Sequence, residues 1–111
     1  MQDYKTGIGW MSQQHPQLAK QYNAFTEECF REGELSQKEK QLMALSIALA
    51  TQDEYCIIYH TKGCLDHDAS EQEILEAVGV SAAFAGAAAM SQGVTLVQEC
   101  LTDLSKPNIT Q

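Results

Sequence analysis

The residues best suited to chemistry lie in one short segment, "DEYCIIYH", at positions 53–60. It places Cys56 four residues before His60 and three residues after Asp53. Residues four apart share one face of a helix, so the His60 imidazole could take the proton of the Cys56 thiol. If a helix begins at Asp53, Cys56 falls in its first turn, where the helix dipole favours a thiolate. The spacing therefore predicts a reactive sulfur at neutral pH with His60 as its base.

Each of these residues also has a purely structural interpretation. Cysteine is among the most frequently buried residues, so a packing role is the alternative interpretation of Cys56. Asp53 is a good N-cap for a helix that starts at Glu54. As a functional group Asp53 could hold a proton or orient a water, but an ionised carboxylate close to the sulfur would raise the pKa of the thiol. The sequence leaves both interpretations open.

The cysteines and histidines after position 55 follow the pattern C-x3-H-x3-C-x2-H. Eight residues of helix separate Cys56 from Cys64 by about 12 Å, too far for a shared metal or for a disulfide. The C-x2-C pairs of structural zinc sites are missing. We therefore expect no metal site and no cofactor, and interpret Cys64 as a small core residue and His67 as a surface residue near the helix end.

Capping signals and apolar spacing divide the chain into five or six helices, an all-α fold. Pro16 suits the first turn of one helix, with Gly33 a plausible stop. Ser36 with Glu39 has the pattern of a capping box before a strongly apolar helix that we expect to be deeply buried. We expect the next helix to run from Glu54 to about Asp66. Ser70 with Glu73 predicts the start of another helix, which breaks near Gly86, and a last helix runs from about Ala87 to Leu104.

Composition narrows the class of protein. The chain has 111 residues, which suits one domain over residues 1–104 followed by a frayed tail over 105–111. The net charge is -8 and the seven Lys and Arg are scattered, so neither nucleic acid nor an anionic membrane is an expected partner. No apolar run reaches membrane-spanning length and the start shows no secretory signal. We expect a cytoplasmic protein whose four cysteines are mostly reduced.

Several segments resemble one family in order and spacing. The resemblance is carried by four segments, "HPQLAKQYNAF", "LSQKEKQLMAL", "DEYCIIYH" and "DASEQEI". In this order they are similar to four features of the carboxymuconolactone decarboxylase-like group: its opening helix, its L-S-x-K-x-K-E-L-x-A-L stretch, its C-x-x-C-x-x-x-H motif and its G-A-S-x-x-E-I turn. This group includes alkylhydroperoxidase D (AhpD). The resemblance covers most of the chain and implies an AhpD-like helical domain.

The resemblance also implies a set of site residues. Cys56 matches the peroxidatic cysteine of the peroxidase-type members and His60 matches their motif histidine. Asp53 stands where the resolving cysteine would be, and Gln41 stands where a proton-relay glutamate would be. The vicinal disulfide of the family therefore cannot form, and Gln41 cannot carry a proton at neutral pH. A Cys56 sulfenic acid would need an external thiol, or Cys29, Cys64 or Cys100, to resolve it.

Three functional hypotheses follow from the resemblance. The first is a peroxiredoxin-like, thiol-dependent alkylhydroperoxidase, an antioxidant oxidoreductase that acts on a small hydroperoxide with an external thiol reductant. The second is a non-catalytic or binding module on the same scaffold. The third is decarboxylation of the 4-carboxymuconolactone type, although the decarboxylase branch tends to have glutamate at the position of Cys56. Family members are commonly trimers or hexamers, so the resemblance also implies a homo-oligomer.

Overall fold

The computed structural model describes residues 4–105, and all regular structure in that range is helical. The helices are α1 (Tyr4–Gln14), α2 (Pro16–Cys29), α3 (Gln37–Thr51), α4 (Glu54–Asp66), α5 (Glu71–Ala85), α6 (Ala87–Gln92) and α7 (Gln98–Ser105). A π-helical segment, Gly93–Val97, joins α6 to α7 without a break. When α6, this segment and α7 are counted as one helix, the described part has six helices, which confirms the all-α prediction. Apart from Ser105, the predicted frayed tail lies outside the described residues.

The predicted caps set the helix boundaries. Before α3, the Ser36 hydroxyl accepts from the Glu39 backbone N–H at 3.0 Å, and the Glu39 carboxylate accepts from the Ser36 N–H at 2.7 Å. Ser70 and Glu73 repeat this reciprocal capping box before α5 at 3.0 and 2.8 Å. Two of the backbone N–H groups left unpaired at each helix start are thereby satisfied.

The chain divides into two compact units, Met1–Glu34 and Leu35–Gln111. In the first unit α1 and α2 pack together, and Pro16 stands in the first turn of α2 as predicted. The helix ends at Cys29, before the expected stop at Gly33. Only Ala19 on α2 is buried, while its large apolar side chains are exposed: Leu18, Tyr22 and Phe25. The single-domain boundary at residues 1–104 stays a prediction.

The second unit has a continuous apolar core built around α3. Helix α3 contacts both α4 and α5, and its Leu45 and Leu49 are completely buried. Only one face of α3 is buried, however, because Met43 and Ile47 are 50% and 62% exposed. The expectation of a deeply buried helix is therefore right for one face, since the two neighbouring helices cover that side alone.

Small polar residues hold α3 against α5. The Ser81 hydroxyl donates to the Ser46 carbonyl at 2.8 Å, and the Ser46 hydroxyl donates to the Ala77 carbonyl at 3.0 Å. At the start of the same pair of helices, Lys38 forms an ion pair with Glu73 at 2.9 Å. These contacts occur in the same order along both helices, so α3 and α5 run parallel.

The C-terminal part departs from ordinary α-helix at two places. Gly86 interrupts the chain where a break was predicted, with a φ of 86° that suits glycine. Further on, Gly93–Val97 forms a π-helical turn, and a Cβ at Gly93 would clash with a methyl group of Val78. Ala89, Gly93, Val97 and Leu101 are buried at intervals of four residues. None of the helices within residues 4–105 is long and apolar enough to cross a membrane.

Replacing the α3 cap should destabilise the protein by a predictable amount. Ser36→Ala removes the hydroxyl that accepts from Glu39, and we expect the free energy of unfolding to fall by about 1 kcal/mol. Urea denaturation followed by far-UV circular dichroism measures the change. Ser91→Ala, on the exposed face of α6, is the control and should stay within about 0.5 kcal/mol of the parent. Equal unfolding midpoints for the two variants would contradict the role of Ser36.

Candidate active site around Cys56

A two-residue connection between α3 and α4 positions the site. Gln52 ends α3 in a left-handed conformation with φ 58°, and the Asp53 N–H donates back to the Ala48 carbonyl at 3.1 Å. The chain therefore reverses within Gln52 and Asp53, and α4 returns along α3. Residues near the start of α3 thus come to lie beside the middle of α4.

Asp53 is both the cap of α4 and the neighbour of the Cys56 thiol. Its Oδ1 accepts from the Cys56 backbone N–H at 3.1 Å, which confirms the predicted cap. The same side chain acts on the thiol, because its hydrogen bonding and its negative charge raise the pKa of Cys56. The carboxylate of Asp53 stands at the position where the family resolving cysteine would be.

The resting form of Cys56 is the protonated thiol. Burial raises the pKa of the thiol to about 11, and the hydrogen bond and negative charge of Asp53 add to the increase. At pH 7 roughly one molecule in ten thousand then carries a thiolate. The predicted stabilisation of a thiolate by the helix start is outweighed, because a carboxylate next to the sulfur disfavours a second negative charge. Asp53 therefore opposes ionisation of the Cys56 thiol, as expected for a carboxylate close to the sulfur.

His60 lies one helical turn beyond Cys56 and is joined to α3 by Gln41. His60 Nδ1 and Gln41 Oε1 are 2.8 Å apart. With the amide oxygen facing the ring, the hydrogen-bond network assigns the proton to His60 Nδ1. Burial lowers the pKa of His60, and the charge of Asp53 works in the opposite direction. The contact brings Gln41 and His60 together, and with the lowered pKa of the ring it favours a neutral imidazole protonated on Nδ1.

Tyr59 contacts His60 and Tyr55 contacts Tyr59, and neither tyrosine was identified from the sequence. The Tyr59 ring stands edge-on to the His60 ring, with centroids 5.0 Å apart and an interplanar angle of 84°. Tyr55 stacks on Tyr59 at 5.8 Å. Both tyrosines precede the reactive residues by one position, so the spacing Y-C-x-x-Y-H was the available signal.

Gly63 is the other site residue that the sequence did not reveal. A Cβ at this position would clash with Gln41 Oε1 and would lie 2.7 Å from Gln41 Cδ. A glycine inside a helix is less favourable than alanine, and this was the signal that could have found it. Gln41, His60 and Gly63 thus form one group between α3 and α4, and Asp53 and Cys56 form a second at the start of α4.

The remaining cysteines lie in other settings. Cys64 is fully buried as predicted, and burial raises the pKa of its thiol to about 12. Cys100 is buried as well, whereas Cys29 is exposed. Among residues 4–105, no group of three or more His, Cys, Asp or Glu side chains could hold a metal ion.

A groove of about 460 Å³ lies within the first unit, between α1 and α2. Its lining consists of Ser12, Pro16, Ala19, Lys20, Asn23, Ala24 and Glu27. The groove includes none of Gln41, Asp53, Cys56 and His60.

The chain belongs to the carboxymuconolactone decarboxylase family, which residues 16–99 match. In fold it is similar to a member of that family from Legionella pneumophila, with a TM-score of 0.85 and 24% identity over 92% of this chain and 90% of the other. A second member, from Thermotoga maritima, has a TM-score of 0.71 and 27% identity over 77% of this chain and 87% of the other.

One curated relative matches over a shorter stretch. It is uncharacterized protein 4 in the cox locus of Paracoccus denitrificans, 36% identical over 66 residues. That stretch spans 60% of this chain and 60% of the relative. The matches confirm the family and the fold that the resemblance implied.

The raised pKa predicts how fast Cys56 reacts with iodoacetamide, which modifies thiolates. We expect the rate to rise about tenfold per pH unit from pH 7 to 9.5 without levelling, because the pKa of about 11 lies above that range. Asp53→Asn should be faster at every pH, since it removes a charge that raises the pKa and keeps a good N-cap. Peptide mass spectrometry measures Cys56, with the exposed Cys29 as the reference in the same molecule. A plateau below pH 9 in the parent protein would contradict the assignment.

Proposed function

We propose that this chain is a one-cysteine, thiol-dependent peroxidase in which Asp53 receives the proton of Cys56. The observation that carries the proposal is the 3.1 Å hydrogen bond from the Cys56 backbone N–H to Asp53 Oδ1, which brings the carboxylate to the residue that bears the thiol. A carboxylate in this position suppresses the free thiolate, yet it is placed to accept the proton when the sulfur attacks. General bases of this kind typically accelerate a reaction by about 10²–10⁴-fold.

The proposed reaction balances without a cofactor. The Cys56 sulfur forms a bond to one oxygen of a small hydroperoxide, ROOH, while the O–O bond breaks. The thiol proton passes through Asp53 to the departing oxygen, so the products are Cys56 sulfenic acid and ROH. Two equivalents of a small external thiol then restore Cys56 and leave as a disulfide and water. An external reductant is needed because position 53 holds a carboxylate where the family has its resolving thiol.

The surroundings of His60 and the description of one relative also support a reactive site in this region. The His60 imidazole is neutral, partly buried and held by Gln41 one turn from the sulfur. The Thermotoga maritima relative is described as a candidate for involvement in an antioxidative response. The assignment of His60 as the base stays a prediction, and Asp53 is preferred here because its side chain is hydrogen-bonded to the Cys56 backbone and raises the pKa of the thiol.

A second candidate function is a non-catalytic binding module on this scaffold. The observation that favours it is again the raised pKa of Cys56, since a thiol with a pKa of about 11 reacts slowly at neutral pH. In that case the Asp53–Cys56 contact would only be part of the helix cap. The two candidates differ in whether Cys56 is oxidised faster than an ordinary exposed cysteine.

We also propose that the protein is a homo-oligomer, a trimer or hexamer, in the cytoplasm. Large apolar side chains on α3 and α5 support self-association, among them Phe84 at 91% exposure and Val80 at 60%. Light scattering on the purified protein would measure the assembly state.

The peroxidase proposal predicts opposite effects of one variant on two reactions. At pH 7, dilute hydrogen peroxide should convert Cys56 to a sulfenic acid before it modifies the exposed Cys29. Asp53→Asn should slow this oxidation by at least about tenfold, because the proton acceptor is lost. The same variant should accelerate alkylation by iodoacetamide. Dimedone labelling followed by peptide mass spectrometry quantifies the sulfenic acid.

Glu54→Gln is the matched control, because it removes a neighbouring carboxylate from the same helical turn. It should leave both rates within about twofold, as expected for an exposed surface charge. If Asp53→Asn accelerates oxidation as well as alkylation, Asp53 is not the proton acceptor. If Cys56 in the parent protein is oxidised no faster than Cys29, the peroxidase proposal fails and the binding module is favoured.

A further inference from the structure

The closest approach in the site region is between Gly63 on α4 and the side chain of Gln41 on α3. If Gly63 carried a Cβ, the three nearest heavy atoms outside its own helix would all belong to Gln41: Oε1, Cδ and Nε2. The Oε1 would clash, and Cδ and Nε2 would lie at 2.7 and 3.3 Å. The space beside Gly63 is therefore filled by the amide group of one residue.

The same amide oxygen makes the contact with His60. Gln41 Oε1 lies 2.8 Å from His60 Nδ1, so the atom that a Cβ at position 63 would displace is the atom that holds the ring. The amide is the far end of a flexible side chain and can swing away at little cost to the fold. Such a movement would break its hydrogen bond to the imidazole.

We propose that Gly63 is a positioning residue of the site, which acts through Gln41 to set the orientation and tautomer of His60. Glycine at this position gives the amide room to reach Nδ1, which places the ring proton on Nδ1. Tyr59 contacts the ring edge-on at 5.0 Å. Gln41 and Tyr59 both restrain the imidazole, and Gln41 does so through a hydrogen bond to Nδ1.

Stability alone does not explain glycine in this position. Gly63 lies in the interior of α4, where alanine has the higher helix propensity. Substitution by alanine would therefore improve the helix while disturbing the neighbouring side chain. A glycine that is less favourable for its own helix and makes room for a side chain bonded to His60 fits a role in the site.

The inference rests on the proposed function only in treating His60 as part of the reactive site. The contacts among Gly63, Gln41 and His60 exist whatever the protein does with a peroxide. The experiment therefore measures the tautomer of His60, and not turnover, so the two proposals can fail separately.

The test is Gly63→Ala, read by long-range ¹H–¹⁵N NMR spectra of the histidine rings at neutral pH. In the parent protein His60 should carry its proton mainly on Nδ1. In Gly63→Ala the ratio of the Nδ1–H to the Nε2–H tautomer should fall about fivefold or more, as expected from the loss of one hydrogen bond. Gln41→Ala should produce the same change. Peroxide oxidation of Cys56 in the same samples reports separately on the proposed function.

Two further variants make the result specific. Gly79→Ala introduces the same methyl group into α5, where nothing lies within 4 Å of the new Cβ, and should leave the His60 signals unchanged. The double variant Gly63→Ala with Gln41→Ala should match Gln41→Ala alone, because both changes remove the same contact. An unchanged tautomer ratio in Gly63→Ala, or a further change in the double variant, would overturn the proposal.

If Gly63→Ala does not fold, the double variant decides the question by circular dichroism. Recovery of the helical signal when Gln41 is also shortened would show that the added methyl group collides with Gln41, which supports the proposal. A double variant that is also unfolded would mean that the methyl group meets another part of the structure, and the proposal would fall.

Discussion

The site depends on the hydrogen bond between the Asp53 carboxylate and the first turn of α4. The side chain accepts from the Cys56 backbone N–H, which starts the helix, and its negative charge helps to raise the pKa of the Cys56 thiol. The two roles have opposite electrostatic consequences. A carboxylate at a helix start is stabilising because it faces the positive end of the dipole, and the same carboxylate cancels the benefit that the dipole would offer to a thiolate.

The α3–α4 hairpin connects this cap to the second part of the site. Because only Gln52 and Asp53 join the helices, the position of α4 relative to α3 is closely constrained. That constraint brings Gln41 to His60, although the two residues are 19 positions apart in the chain. The capping carboxylate and the Gln41–His60 contact are therefore consequences of one tight connection, and each stabilises the arrangement that the other requires.

Local signals in the sequence predicted most helix boundaries, and they did so for physical reasons. Asp53, Ser36 and Ser70 act on groups within three residues of themselves, so their spacing alone identifies the start of a helix. Helix α1 was not predicted, because "YKTGIGWMSQQ" contains two glycines and no acidic residue in its first turn. The π-helical turn was missed as well, since its geometry depends on packing against the core.

The chemistry was harder to predict than the positions. The placement of Cys56 and His60 one turn apart follows from their spacing, but the pKa of the thiol depends on burial and on which way Asp53 points. The spacing favoured a thiolate, whereas burial and Asp53 raise the pKa of the thiol and favour its protonated form. Gly63 acts through a contact between two helices, and a single sequence carries little information about such contacts.

The π-helical turn in the last helical run solves a problem of angular register. In an α-helix of 3.6 residues per turn, an interval of four residues overshoots a full rotation by about 40°. Buried positions repeated at 89, 93, 97 and 101 would then drift progressively off the core-facing side. A turn closed by i→i+5 bonds rotates less per residue and takes up part of this excess. The length of the segment around Gly93 is therefore more constrained than its composition, because removing one residue would swing Cys100 and Leu101 by roughly 100° away from the side they now occupy.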